Sequence, residues 1–377
     1  MSMDSKVPEI RFKGFSGKWI QENISNIAPL QRGFDLPKNL IKVGAHPVVM
    51  SNGVNGFHNA FKAKAPGVVT GRSGTIGNIH YIDVDYWPHN TSLWVTNFHK
   101  NVPLFIYYLY VKLDLKRFGT GSGVPTLNRN DIHVQSVVLP KDSKEQTAIG
   151  NYFQKLDALI NQHQQKHDKL SNIKKSMLEK MFPKQGETIP EIRFKGFSGE
   201  WDEIELGEEV TFINGRAYSQ EELQDKGKYT VLRVGNFYTN SSWYYSDMEL
   251  GDKYYADYGD LLYTWSASFG PHIWIGDKVI YHYHIWKLEL SENIEKLFLL
   301  HLLDYDRAKI LSGSNGSTMI HITKSAMEAK KIFIPKKDEQ IIIGNYFQKL
   351  DTLINQHQQQ ITKLNNIKQA CLSKMFI

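Results

Sequence analysis

A few side chains in this 377-residue sequence have the types and spacing of chemistry. Gly71-Arg72-Ser73-Gly74-Thr75-Ile76-Gly77 is a glycine-punctuated loop that could aim backbone N–H groups and Arg72 at a phosphate or a base. It lacks the Gly-Lys-Ser/Thr ending of a P-loop, and a plain strand-to-strand turn reads equally well. The second half has only the looser Ser266-Ala267-Ser268-Phe269-Gly270 in the comparable place. His163 and His167 stand one helical turn apart, a metal-capable spacing, but a repeat described below puts Ile361 where His167 stands. They read better as helix-seam residues. His282 and His284 would share a strand face, yet no carboxylate or cysteine set completes a site. The only cysteine, Cys371, falls in a helix seam and rules out a disulfide framework or a multi-cysteine metal site. Phe12-Lys13-Gly14-Phe15-Ser16-Gly17 suggests a cofactor loop only superficially, because no strand–Gly–helix unit surrounds it, and it reads as a turn. There is no Asn-Pro-Pro-Tyr/Phe methyltransferase motif and no helicase-type P-loop. The chain is expected to catalyse nothing by itself and to hold no metal or cofactor.

The elements that would position these groups come in two copies. The decapeptide Pro8-Glu9-Ile10-Arg11-Phe12-Lys13-Gly14-Phe15-Ser16-Gly17 recurs letter for letter from Pro190 to Gly199, with Trp19 and Trp201 following at the same distance. A longer repeat runs from Ile149 to Phe182 and returns from Ile343 to Phe376, and its opening, Ile149 to Asp157, is unchanged as Ile343 to Asp351. It reads as helix. Ile149, Phe153, Leu156, Ile160, His163, His167 and Leu170 alternate spacings of four and three, an a/d seam, and Ile343, Phe347, Leu350, Ile354, His357, Ile361 and Leu364 repeat it. Pro183 stops the first copy. About 34 residues make a rod of roughly 50 Å. Two such stripes in one chain most simply pack on each other, as an antiparallel coiled coil.

Between the repeats lie divergent blocks of strand-like runs, such as Gly67-Val68-Val69-Thr70 and Asp277 to Tyr283, broken by Gly, Asn and Pro. Each also has an apolar, helical piece, Leu104 to Leu109 and Leu297 to Leu302. The fold class is therefore α+β. Two mixed α/β domains (1–144 and 187–338) are separated by two long repeated helices (145–186 and 339–377) in a pseudo-two-fold plan. Hydrophobic residues make up 41% and charged residues 22%, enough for cores and against wholesale disorder. The net charge of +6 permits a polyanionic partner without demanding one, and it averages unlike parts. Residues 1–148 carry 17 Lys+Arg against 10 Asp+Glu, whereas residues 187–338 carry 17 against 24. The most apolar stretch, Val102 to Val111, is far short of the ~18 residues that span a bilayer, and the start has no apolar signal region. A soluble, cytoplasmic protein with no membrane partner is expected.

Variable domain, repeated helix, variable domain, repeated helix resembles the DNA-specificity subunit of type I restriction–modification systems over nearly the whole chain. The motifs carrying the match are Pro-Glu-Ile-Arg-Phe-Lys-Gly-Phe at 8–15 and 190–197, with Glu145-Gln146 through Asp157 and Glu339-Gln340 through Asp351. The resemblance implies that each block is a target-recognition domain reading one half of a bipartite, asymmetric site in double-stranded DNA. The helices would be the spacer that fixes the gap between half-sites. It further implies two modification (methyltransferase) subunits bound to the repeated elements, and restriction (motor-nuclease) subunits. S-adenosylmethionine, ATP and Mg2+ would be used by those partners and not by this chain.

Base edges are read chiefly by Arg, Lys, Asn and Gln, less selectively by Ser and Thr. The candidates in glycine-punctuated loops of the first block are Gln31, Arg32, Arg72, Ser73, Thr75, Asn90, Arg129 and Asn130. In the second they are Asn214, Arg216, Arg233, Asn236, Ser266, Ser317, Thr318 and Lys324. Any one of them could equally be a solvated turn former; Arg72 and Arg216 stand out. Two other readings stay open at this point: a coiled-coil interaction scaffold that binds no DNA, and an enzyme such as a nuclease with an unfamiliar site.

Overall fold

The computed structural model describes residues 6–121, 125–184, 186–238, 240–266, 268–313 and 322–377. Ser317 and Thr318 lie outside them. The chain forms two compact units, Met1–Gln164 with Gln358–Ile377, and Gln165–His357. Each unit holds one variable block together with the beginning of one long helix and the end of the other.

In the first unit the block is closed by its own ends, Ile20–Asn23 pairing antiparallel with Ser136–Leu139. Inside it a four-stranded antiparallel sheet orders Leu30–Arg32, Ser92–Val95, Gly67–Gly71 and Ile79–Ile82. Gly67–Gly71 is buried at every residue, as a central strand covered on both faces must be, and its Val-Val-Thr run suits that place. A smaller sheet orders Gly53–His58, His46–Met50 and Trp87–Pro88, the last pair parallel. Helix α1 (Pro103–Leu113) starts on Pro103, whose missing N–H costs nothing at a first turn, and packs Phe105, Ile106, Tyr108, Leu109 and Tyr110 into the core.

The second unit repeats this plan. Its block closes through Asp202–Glu205 against Lys331–Ile334. Its larger sheet orders Val210–Asn214, Ile285–Leu290, Leu261–Thr264 and Gly270–Ile273. The smaller one orders Tyr244–Ser246, Tyr229–Leu232, Val279–Tyr281 and Tyr255–Ala256, with the parallel pair again in the same place. The two blocks are thus one fold in two divergent versions.

The long helices are α2 (Ser143–Met181) and α4 (Lys337–Met375), with the second block's helix α3 (Lys296–Gly313) between them in the chain. At 39 residues each they run about 58 Å. Both begin before the repeated Ile, because Asp142 caps the first through the Lys144 amide (2.8 Å) and the Glu-Gln pair belongs inside the first turn. In each unit the start of one long helix lies antiparallel to the end of the other. Asp157 meets Lys368 and Phe153 meets Phe376 in the first unit; Asp351 meets Lys174 and Phe347 meets Phe182 in the second. Of the seam residues, Phe153, Leu156, Phe347 and Leu350 are buried, whereas Ile160, His163, Leu170, Ile354, His357 and Leu364 are half-buried.

Candidate nucleic-acid interface

The repeated motifs build the frame that holds each block. Glu145 is buried and accepts a two-pronged ion pair from Arg11 (2.7 Å to each oxygen), and the Trp19 indole N–H also donates to it (3.3 Å). Arg193 forks onto buried Glu339 in the same way (2.6 Å to each oxygen). The decapeptides also lie along helix ends: the Ile10 amide donates to the Lys374 carbonyl and the Ile192 amide to that of Lys180. Next to each glutamate, a buried glutamine clamps the block. Gln146 accepts from the Val102 amide and donates to the Pro140 carbonyl, and Gln340 does so with the Glu295 amide and the Pro335 carbonyl. A further repeated acid tethers each domain helix. Asp157 takes Tyr108 of α1 (2.8 Å) and Lys368 (2.5 Å), while Asp351 takes Lys174 (2.7 Å) with His301 of α3 at 3.8 Å. Burial and then Lys174 push the His301 imidazole down to about 3, so it is neutral. Much of the repeat's identity is thereby explained inside the chain.

On this frame one end of each larger sheet gathers polar side chains. In the first unit Gly33 passes so close to the neighbouring turn that a Cβ there would sit 2.2 Å from the His89 carbonyl oxygen. The turn continues through Asn90 and Thr91, and the Thr91 carbonyl accepts from the amides of both Arg72 (2.8 Å) and Ser73 (3.2 Å). Arg32, Asn90, Arg72 and Ser73 are therefore brought to one edge. Thr75 joins them through the tight loop joining Gly71 to Asn78, its carbonyl against Gly71. The Arg72 carbonyl accepts from the Leu127 amide (2.7 Å), which leads through the Asn128 cap to Arg129 and Asn130, exposed at the start of the helix Arg129–His133. Gln31, one residue before Arg32, points to the opposite face of its strand. Arg32 and Asn90 both donate to one carboxylate oxygen of Asp35, the former at 3.1 Å.

The second unit has the same edge with other side chains. Gly215 meets the His282 carbonyl as Gly33 meets that of His89, a Cβ falling 2.4 Å from the oxygen. The Trp265 amide donates to the His284 carbonyl as Arg72 does to Thr91, and the Ile322 amide donates to the Trp265 carbonyl as Leu127 does to Arg72. Ser266 thus stands where Ser73 does, and Lys324, after the Thr323 cap, where Arg129 does. Asn214 occupies the place of Arg32. Arg216 lies two residues on, ion-paired to Glu222 (2.6 Å) and stacked over Tyr218 (5.2 Å). Pairing with Arg216, and then the Ser219 amide, keep the Glu222 carboxyl below its usual range. Arg233 stacks over Tyr244 (4.1 Å). Asn236 spends its amide on its own turn, accepting from the Arg233 amide and donating to the Ser242 carbonyl. Lys324 pairs with Glu328 at 3.5 Å.

Of the ring-bearing members of this second edge, the sequence singles out His282 and His284 but neither Trp265 nor Tyr283. Trp265, Tyr283 and His284 pack together edge-to-face or tilted (3.9–6.1 Å between ring centres), with His282 alongside. Burial, then His284 and Arg233, lower the His282 imidazole to about 4. Only the matched amide–carbonyl bonds reveal Trp265 as the counterpart of Arg72, a signal that needs three dimensions. Among the described residues no group of three or more His, Cys, Asp or Glu is placed to hold a metal ion, and no helix is long and apolar enough to cross a membrane. His167, read in sequence as one of a metal-spaced pair, bonds to Asp168 (3.0 Å).

The structure is thus a duplicated frame carrying two unlike polar edges. The family match is direct: the chain belongs to the type I restriction modification DNA specificity domain family, whose model matches residues 17–172 and 198–366. It is 26% identical over 182 residues to the type I restriction enzyme MjaVIII specificity subunit of Methanocaldococcus jannaschii, covering 47% of this chain and 42% of that protein. It is 22% identical over 299 residues to the putative MjaX specificity subunit of the same organism, covering 75% and 69%. The chain thus spans less than half the length of the first relative in that match. The fold is that of the S subunit of a type I restriction–modification system from M. genitalium, with a TM-score of 0.65 at 16% identity over 98% of this chain and 99% of that one. A chain from a type I system studied for its complex assembly matches with a TM-score of 0.53, also at 16% identity, over 94% and 97%.

Proposed function

We propose that this chain is the DNA-specificity subunit of a type I restriction–modification complex, reading the two halves of an asymmetric bipartite site, one with each variable domain. The observation that carries this is the matched pair of edges. The Gly33 contact recurs at Gly215, and the amide–carbonyl bonds of Arg72 and Leu127 recur at Trp265 and Ile322, while the side chains displayed differ: Arg32, Arg72 and Asn90 against Asn214, Trp265 and Tyr283. The chain contributes no catalysis of its own. Two modification subunits dock on the repeated elements, restriction subunits complete the endonuclease, and S-adenosylmethionine, ATP and Mg2+ serve those partners in the cytoplasm. The net-negative second block makes phosphate grip by this domain weak, so partners supply part of it.

Co-production with modification subunits, followed by genome-wide mapping of methylated bases, tests the reading. The expected result is one split, non-palindromic site. Purified chain that binds random duplex without the steep fall in affinity at rising salt, or that cuts DNA alone with Mg2+, would refute it.

A further inference from the structure

The Gly33 and Gly215 turns share a feature that the fold does not impose. At the first, the sequence is Arg32-Gly33-Phe34-Asp35; at the second, Asn214-Gly215-Arg216-Ala217. The glycine is common because a backbone passes against it. The arginine is not at a common position, yet each turn carries one, and each arginine is held by a carboxylate. Arg32 Nη2 donates to Asp35 (3.1 Å), which also takes the Asn90 amide, and Arg216 Nη2 donates to Glu222 (2.6 Å), itself fixed by the Ser219 amide (2.9 Å). The Arg32–Asp35 side chains are 52% and 66% exposed, so the pair adds little to stability. Divergent blocks have arrived at the same device from different residues.

We infer that Arg32 and Arg216 each read a guanine, and that Asp35 and Glu222 are positioning residues that hold the guanidinium fork toward the base and away from phosphates. This rests on the DNA-reading function proposed above. An arginine free to swing would satisfy any phosphate, because the fork fits phosphate as well as the guanine edge. The carboxylate occupies one terminal nitrogen of the fork and repels the backbone, which favours the neutral edge of guanine; in Arg216 the other terminal nitrogen rests on the Met248 sulfur (3.4 Å), a weak acceptor that a base edge displaces. Asp35 does the same for Asn90, whose amide would otherwise also be free.

The test is selection of duplexes from a random pool by the full chain in complex with modification subunits, using Arg32→Lys, Asp35→Asn, Arg216→Lys and Glu222→Gln. Each keeps size close to the original, and thermal melting checks the fold. Arg32→Lys is expected to flatten preference at one G·C pair, and Asp35→Asn at that same pair and at the base that Asn90 faces, by about 10-fold or more, in one half-site only. Arg216→Lys and Glu222→Gln should do so in the other half-site. Asp35→Asn and Glu222→Gln should in addition raise affinity for unselected duplex. A wild-type motif that all four variants retain overturns the inference while leaving DNA reading intact. So does loosening of both half-sites alike, or a fall in unselected binding on removing the carboxylates. A wild-type complex that enriches no motif overturns the functional reading itself.

Discussion

Replacing Glu145 by Ala tests how the N-terminal decapeptide is held. The carboxylate is 2% exposed and carries both prongs of Arg11 at 2.7 Å and the Trp19 indole at 3.3 Å. Removing one member of a buried, hydrogen-bonded ion pair costs about 3–5 kcal/mol, because the other charge stays behind unpaired. The Arg11 side chain is 14% exposed and can recover some water, which favours the lower end, about 3 kcal/mol. That is about a 100-fold change in an opening equilibrium. Glu339→Ala removes the same fork from Arg193, but the Trp201 indole is buried without a hydrogen-bond partner among the described residues. It should therefore cost about 1 kcal/mol less than Glu145→Ala, the difference being one orphaned indole N–H. Native-state hydrogen exchange reads both locally. Glu145→Ala should speed exchange around residues 6–19 and Glu339→Ala around 188–201, each leaving the other segment alone. Joint replacement of Arg11 and Glu145 by Met should restore most of the loss, since no buried charge is then stranded. Changes under about 5-fold in both single variants, or equal effects in both segments, would refute the ion pair as the clasp.

Acid should weaken the second unit through His301. Its folded imidazole is pushed from 6.5 to about 3, so the unfolded chain takes up the proton first. The contribution is full above the unfolded value and is lost as pH falls below it, at up to about 1.4 kcal/mol per pH unit. His301→Gln should remove that slope from urea unfolding of the second unit; an unchanged slope would place the acid sensitivity elsewhere, as in His272 or His282, both lowered to about 4. Gly33→Ala and Gly215→Ala drive a Cβ to 2.2 and 2.4 Å from a carbonyl oxygen and should each abolish recognition of one half-site in methylation mapping. Gly14→Ala meets no atom within 4 Å and bears only the strain of φ +101°, about 1–3 kcal/mol in a thermal melt.

The long helices and the duplicated plan were legible because periodicity and letter-for-letter repetition are one-dimensional signals, and the glycine loops were correctly placed at strand ends. The helix starts were less so. Residues 143–148 carry too few apolar positions to extend the seam pattern, yet Asp142 caps a helix there. The decapeptide read as a turn, and it is one at Gly14 and Gly17, but its role as a clasp depends on Glu145, 134 residues away from Arg11. The sequence pairs the Ser266–Gly270 loop with the Gly71–Gly77 loop, but not the individual residues, and it does not show that Arg129 and Lys324 follow matched caps. Asp35 went unnoticed because acids are not expected at a DNA surface, and Trp265 and Tyr283 because aromatic residues in a strand-rich block look like core.

The two buried glutamines address their blocks largely through main-chain atoms. Gln146 bonds the Val102 amide and the Pro140 carbonyl, and Gln340 bonds the Glu295 amide with the Asn293 and Pro335 carbonyls. Such atoms are alike whatever residue bears them. Each block is moreover zipped shut by its own first and last strands, so it enters and leaves the frame at adjacent points. The socket is thus indifferent to its cargo. A block can be exchanged as a cassette for another with the same closing strands without redesigning the frame that holds it.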